Sequence, residues 1–147
     1  MTKVSPTYDK NIMEAIFRRR GGNGASTGLF RELDTSTSKK LLANFIFLDS
    51  EETVVGSDYD NSLCALTTER ILYSSEKSCL EVNLSNIFDA IVDLKELQRK
   101  GVRLNQADHI QLLMSDGRKL AIKVEPGSPL SGIWSILKHI GDKNRRK

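Results

Sequence analysis

The chain has 147 residues, enough for one domain whose core needs neither disulfides nor a metal to close it. Its 39% hydrophobic and 28% charged residues exclude a chain disordered throughout, a coiled coil and a collagen-like repeat. The net charge of +3 conceals a segregated pattern: residues 1–48 carry +4, residues 49–94 carry −8 and residues 95–147 carry +7. An acidic middle between basic flanks either pairs off on folding or leaves an acidic surface that steers a basic partner.

The opening Met1–Pro6 has no apolar leader segment, which points to a cytoplasmic protein. In that compartment Cys64 and Cys79 read as buried free thiols rather than a disulfide. No run approaches the ~18 apolar residues of a membrane span. The longest, Leu41 to Leu48, is interrupted by Asn44.

Ile12, Met13, Ile16 and Phe17 recur at helical spacing and predict a helix over 9–20, with Asp9 as its N-cap. Arg18, Arg19 and Arg20 then sit at the negative end of the helix dipole, which explains them without a ligand. The other reading of these cations, shared with the tail Lys143–Lys147, is contact with anionic lipid or phosphate. Four glycines within residues 21–28 predict a flexible linker with no regular element. It is not a phosphate loop, because Leu29 and Phe30 follow the last glycine where Lys and Ser or Thr are required. A second helix is expected over 37–48, capped by Ser36 or Ser38, with Leu41, Leu42, Phe45, Ile46 and Leu48 on one side. A buried strand at 44–48 is the competing reading.

From residue 53 the pattern becomes short and alternating. Strands are expected near 53–57, 62–67, 70–74, 79–83, 87–94, 109–114 and 118–124. Asp58–Asn61 and Thr68-Glu69 separate the first three, and Asp116-Gly117 marks the last hairpin, where glycine accepts the positive φ of a tight turn. Residues 95–107, with Gly101, read as a polar connector. A terminal helix is expected over 129–140: Ser128 caps it, Pro129 opens it, and Leu130, Ile133, Trp134, Leu137 and Ile140 form its apolar stripe. Gly141 is placed to stop it, leaving 142–147 as a disordered basic tail.

Seven short strands followed by one capping helix resemble the pleckstrin-homology-like (PH-like) architecture. Cys64-Ala65-Leu66-Thr67-Thr68-Glu69-Arg70-Ile71-Leu72-Tyr73-Ser74 resembles the LTxxRLIxxS hairpin of the GRAM-like and bacterial PH-like families. Val82-Asn83-Leu84-Ser85-Asn86-Ile87 is similar to their following turn, and Ile110 through Val124 to their last hairpin. The resemblance covers about residues 49–140; residues 1–36 have no counterpart. It implies a mostly β fold with flanking helices: a PH-like seven-stranded barrel or sandwich capped by a C-terminal amphipathic helix. The division that follows is a helical extension over 1–36, a PH/GRAM-like domain over 37–141 and a basic tail over 142–147.

The resemblance also implies a non-enzymatic binding module for phosphoinositides, peptides or proteins. Lipid-binding members carry basic residues around the loop joining the first two strands. Here that loop, Gly56–Asn61, holds Asp58 and Asp60 and no cation, and carboxylates repel phosphate. Asp49, Glu51, Glu52, Asp58, Tyr59 and Asp60 are therefore the candidate binding residues: an acidic surface with an aromatic anchor, suited to a basic protein partner. A sharper form of this reading is an immunity or antitoxin protein, because a nuclease toxin needs positive surface to hold phosphate and an acidic face would occlude it. A peripheral domain on anionic lipid is the third reading.

An enzyme is not expected. The two histidines, His109 and His139, are far apart in sequence, and no spacing suggests a metal site or an activated nucleophile. Asp58 and Asp60 alternate as metal ligands do, but the glycine and glutamate of a calcium loop are missing. No metal or other cofactor is expected. Specific nucleic-acid binding is not expected either, because aromatic residues are only 6% and do not interleave with the basic runs.

Overall fold

The computed structural model describes residues 8–146. Met1–Pro6, on which the expectation of no leader rests, and the last tail residue, Lys147, lie outside these residues. In chain order the elements are α1 (Lys10–Arg20), β1 (Thr27–Leu29), α2 (Thr35–Asn44), β2 (Thr53–Tyr59), β3 (Ser62–Thr67), β4 (Arg70–Ser74) and β5 (Cys79–Asn83). There follow β6 (Ile87–Ile91), α3 (Leu94–Lys100), β7 (His109–Met114), β8 (Lys119–Lys123) and α4 (Ser128–Arg145). All strand pairs are antiparallel. They form a five-stranded sheet in the order β1-β2-β3-β4-β5 and a three-stranded sheet in the order β6-β7-β8. Of the expected barrel or sandwich, the closed barrel is corrected: the described residues form two separate sheets with four helices.

The seven expected strands are present, because their turns are encoded locally. Asp60 and Asn61 both adopt positive φ, 48° and 63°, in the two-residue turn between β2 and β3. This is the backbone a hairpin needs to match strand twist, and Asp and Asn tolerate it. Gly117 does the same between β7 and β8, at φ 91°. Strand β3 is buried at every residue rather than alternately, as a strand covered on both faces must be.

The segment read as a flexible linker is instead held in place. β1 begins within it and pairs with the edge of β2, Gly28 opposite Gly56. The Glu125 carboxylate accepts from the backbone N–H groups of Ala25 and Ser26 at 2.8 and 2.9 Å, and Asn23 Oδ1 accepts from Leu29 N–H. The N-terminal residues are no appendage: Tyr8, Met13, Phe17 and Leu29 belong to the same core as the two sheets and α4. Gly132 of α4 faces the Phe17 ring so closely that a Cβ there would lie 2.6 Å from it. Gly56 likewise leaves the notch on β2 filled by Leu41 and Leu33.

Three further expectations are corrected. Helix α2 starts two residues earlier than expected, because Asp34, not Ser36 or Ser38, caps it by accepting from Thr37 N–H at 2.7 Å. It ends at Asn44, and 45–48 are neither helix nor strand. The polar connector contains α3: Asp93 caps it, accepting from Glu96 N–H at 3.0 Å, and Gly101 closes it in the left-handed region. Helix α4 runs through Gly141 to Arg145, so the tail begins only after it. The interruption is tolerated because Gly141 lies against the Phe88 carbonyl of β6, where a side chain would not fit. Cys64 is buried as expected, and burial pushes its thiol up to about 12, far from thiolate chemistry. Cys79 is exposed, contrary to expectation, because it stands on β5 at the free edge of the larger sheet.

The sheets are cross-linked by Tyr73 of β4. Its hydroxyl donates to Ser62 Oγ at 3.2 Å and accepts from Lys123 N–H of β8 at 3.2 Å. Trp134 of α4 donates its indole N–H to the Ala90 carbonyl of β6 at 2.9 Å, which fixes the helix on the smaller sheet. Among the described residues no helix is long and apolar enough to cross a membrane.

Candidate functional site

The six candidate residues are distributed by the fold into three environments. Glu51 lies in the interior, its side chain fully enclosed. Arg70, at the start of β4, binds it with both faces of its fork, Nη2 to Oε1 at 2.5 Å and Nε to Oε2 at 3.1 Å. Thr67 donates its hydroxyl to Oε2 at 2.7 Å, and Leu48 N–H donates to Oε1 at 2.8 Å. Burial alone would raise the Glu51 carboxyl; the bonds from Arg70, Thr67 and Leu48 outweigh it and hold the group below the usual carboxylate range. The same pairing raises the already high pKa of Arg70. Both groups stay charged, so this is a structural ion pair, and Glu51 presents no carboxylate to a partner.

Asp58 and Asp60 remain near the surface but are matched by cations from elsewhere in the chain. Lys40 of α2 reaches Asp58 at 3.1 Å, and Lys123 of β8 reaches Asp60. Tyr59 between them is half-buried. Asp49 and Glu52 are exposed, and neither carboxylate has a partner among the described residues. The acidic middle of the chain is thus partly neutralised by folding, and of the six candidates the carboxylates left for an outside cation are those flanking Glu51.

The structure brings something else to that position. Residues 45–52 form a strap between α2 and β2, secured at both ends. Phe47 packs edge-on against Phe30 with ring centres 5.9 Å apart, and the Ile46 carbonyl accepts from Arg70 Nη2 at 2.9 Å. Glu51 and Leu48 close the strap by reciprocal bonds, Leu48 N–H to the carboxylate and Glu51 N–H to the Leu48 carbonyl at 3.2 Å. On this anchored backbone Ile46 is 88% exposed and Leu48 49%, and Leu42, on α2 just before it, is 57% exposed. The sequence reading had placed these three side chains on the inward face of one helix. Once α2 stops at Asn44 that register is lost, and of the five apolar residues Leu41 alone is buried. The signal that marks the difference is the unbroken run Phe45-Ile46-Phe47-Leu48, which a two-sided helix cannot bury on one face.

The remaining candidate groups lie elsewhere. His109 is exposed at the start of β7 and bonds Asp108 at 2.7 Å, whereas His139 lies in the middle of α4. Among the described residues no three His, Cys, Asp or Glu side chains gather where a metal ion would be held. Scans against protein-family models, curated proteins and solved structures return no match to the chain.

Proposed function

We propose that this chain is a non-catalytic protein-binding module of PH/GRAM-like kind, and that it engages a basic partner through the 45–52 strap and the adjoining end of α2. The observation that carries this reading is the display of Ile46 and Leu48 on a strap locked by the buried Glu51–Arg70 pair, with Leu42 exposed on α2 just before it. An apolar side chain held out in water on a rigid support is what an interface anchor requires, because little conformational entropy remains to be lost on binding. Asp49 and Glu52 supply the unneutralised carboxylates beside it, which would speed the encounter with a basic surface. The architecture supports the same reading: apart from β1, seven strands are followed by a helix laid on the smaller sheet.

The test is capture from a lysate followed by titration of the captured protein in pure form. Ile46→Asp is expected to weaken binding at least tenfold, and Asp49→Lys with Glu52→Lys to slow association and flatten its salt dependence. Both variants change exposed side chains and should keep the wild-type circular dichroism. A captured protein that binds the Ile46→Asp variant as tightly as the wild type would sink the proposal, as would failure to capture any. A captured nuclease would narrow the module to an immunity protein.

A further inference from the structure

A different concavity lies between α1 and α4. It has a volume of about 500 Å³, within the ~300–1,000 Å³ of small-molecule sites. Its floor is apolar, formed by Ile16 of α1 and the half-buried ring of Trp134, whose N–H is already committed to Ala90. Basic side chains line it from both helices: Arg19 and Arg20 from the last turn of α1 and Lys138 from α4, with the His139 imidazole next to Lys138. Arg18 is paired with Glu32 at 3.3 Å, but neither the Arg19 nor the Arg20 guanidinium has a partner among the described residues. Lys138 is shared with Asp89 at 3.0 Å, and the one carboxylate lining the groove, Asp142, is bonded by Arg145. The helix dipole explains why arginines end α1. It does not explain why Lys138 of α4 lines the same groove beside Trp134.

The walls are fixed rather than free to splay. Ser131 Oγ donates to the Arg20 carbonyl at 2.6 Å, and the backbone at Gly21 lies against Ser128 and Gly132 with no room for a Cβ. The packing that joins the two helices therefore holds like charges together across the groove. Burial pushes the His139 imidazole down, and Lys143 and Arg146 push the same way against Asp142, so the positive charge of the groove rests on Arg19, Arg20 and Lys138.

We propose that this groove binds a small organic phosphate, its phosphate held by Arg19, Arg20 and Lys138 and its apolar body lying on Trp134 and Ile16. Guanidinium forks match phosphate oxygens in pairs, and an aromatic floor favours a planar body. The site is built from elements other than the strap, so its fate is independent of the protein-binding reading.

Trp134 is the chain's one tryptophan and reports on the groove directly. Its fluorescence is to be titrated with phenyl phosphate, inorganic phosphate and phenol, and in a separate arm with phosphatidylglycerol vesicles. Phenyl phosphate is expected to give a saturable change with at least tenfold tighter binding than either fragment. Arg19→Ala with Arg20→Ala should weaken it at least tenfold, whereas the equal charge loss Lys95→Ala with Lys119→Ala should leave it unchanged. Isothermal calorimetry on the same four ligands and variants gives a second readout that does not depend on the indole. The proposal is overturned if phenol binds as well as phenyl phosphate, if the arginine variant binds like wild type, or if only the vesicles elicit a response.

Discussion

Two charged clusters of this chain meet opposite fates on folding. The carboxylates around the β2–β3 hairpin are absorbed: Glu51 by Arg70 inside the protein, Asp58 by Lys40 and Asp60 by Lys123 near its surface. The arginines ending α1 are not: Arg19 and Arg20 face the groove beside Lys138 and His139. High charge along a segment therefore does not by itself leave that charge unmatched on the surface. Residues from α2, β4 and β8 reach the carboxylates around the acidic hairpin, whereas no carboxylate reaches the Arg19 and Arg20 guanidinium groups among the described residues. Surface potential follows from which residues folding makes neighbours, not from the sum along a segment.

The sharpest way to break this comparison is at its buried member. Arg70→Ala leaves the Glu51 carboxylate enclosed without its cation and frees the Ile46 carbonyl. The expected loss is about 3–5 kcal/mol of folding stability, measured by urea unfolding. A loss below about 1 kcal/mol, the ordinary value of an exposed pair, would show that Glu51 and Arg70 are not the lock of the strap.

The basic side depends on the approach of α1 to α4. Gly132→Ala would push a methyl group into the Phe17 ring. Overpacking of this kind costs about 1–3 kcal/mol. The same substitution should alter Trp134 emission, because the groove floor and the helix contact are one structure. Unchanged stability together with unchanged emission would separate the groove from that contact.

The smallest effect is expected at the exposed acidic pairs. Asp58→Asn removes the partner of Lys40, whose side chain is 54% exposed. The loss should stay within about 1 kcal/mol and shrink further in high salt. A larger, salt-independent loss would mean that the hairpin carboxylates are as structural as Glu51.

Much of this architecture was legible along the chain. The strands from β2 to β8 are bounded by turn residues whose backbone preferences act locally, and α1 and α4 carry apolar stripes that only a helix can align. Helix α3 was equally legible in Asp93, Glu96 and Gly101, but reading the preceding strand through residue 94 consumed its cap. The candidate site was legible only in part. Asp49 and Glu52 are exposed as a surface role requires, whereas Glu51, between them in the chain, points inward to a cation 19 residues away.

Hairpin turns, helix caps and hydrophobic periods have causes that lie within a few residues, and these follow from the chain alone. Tertiary structure alone decided the rest. Three residues make β1 a strand only because β2 presents an open edge, and α4 continues past Gly141 because β6 packs there. The strap displays Ile46 because Arg70 and Phe30 hold its backbone, and the acidic segment is neutralised because lysines of other elements reach it. Each of these depends on a partner distant in sequence, whose position is set only when the core closes.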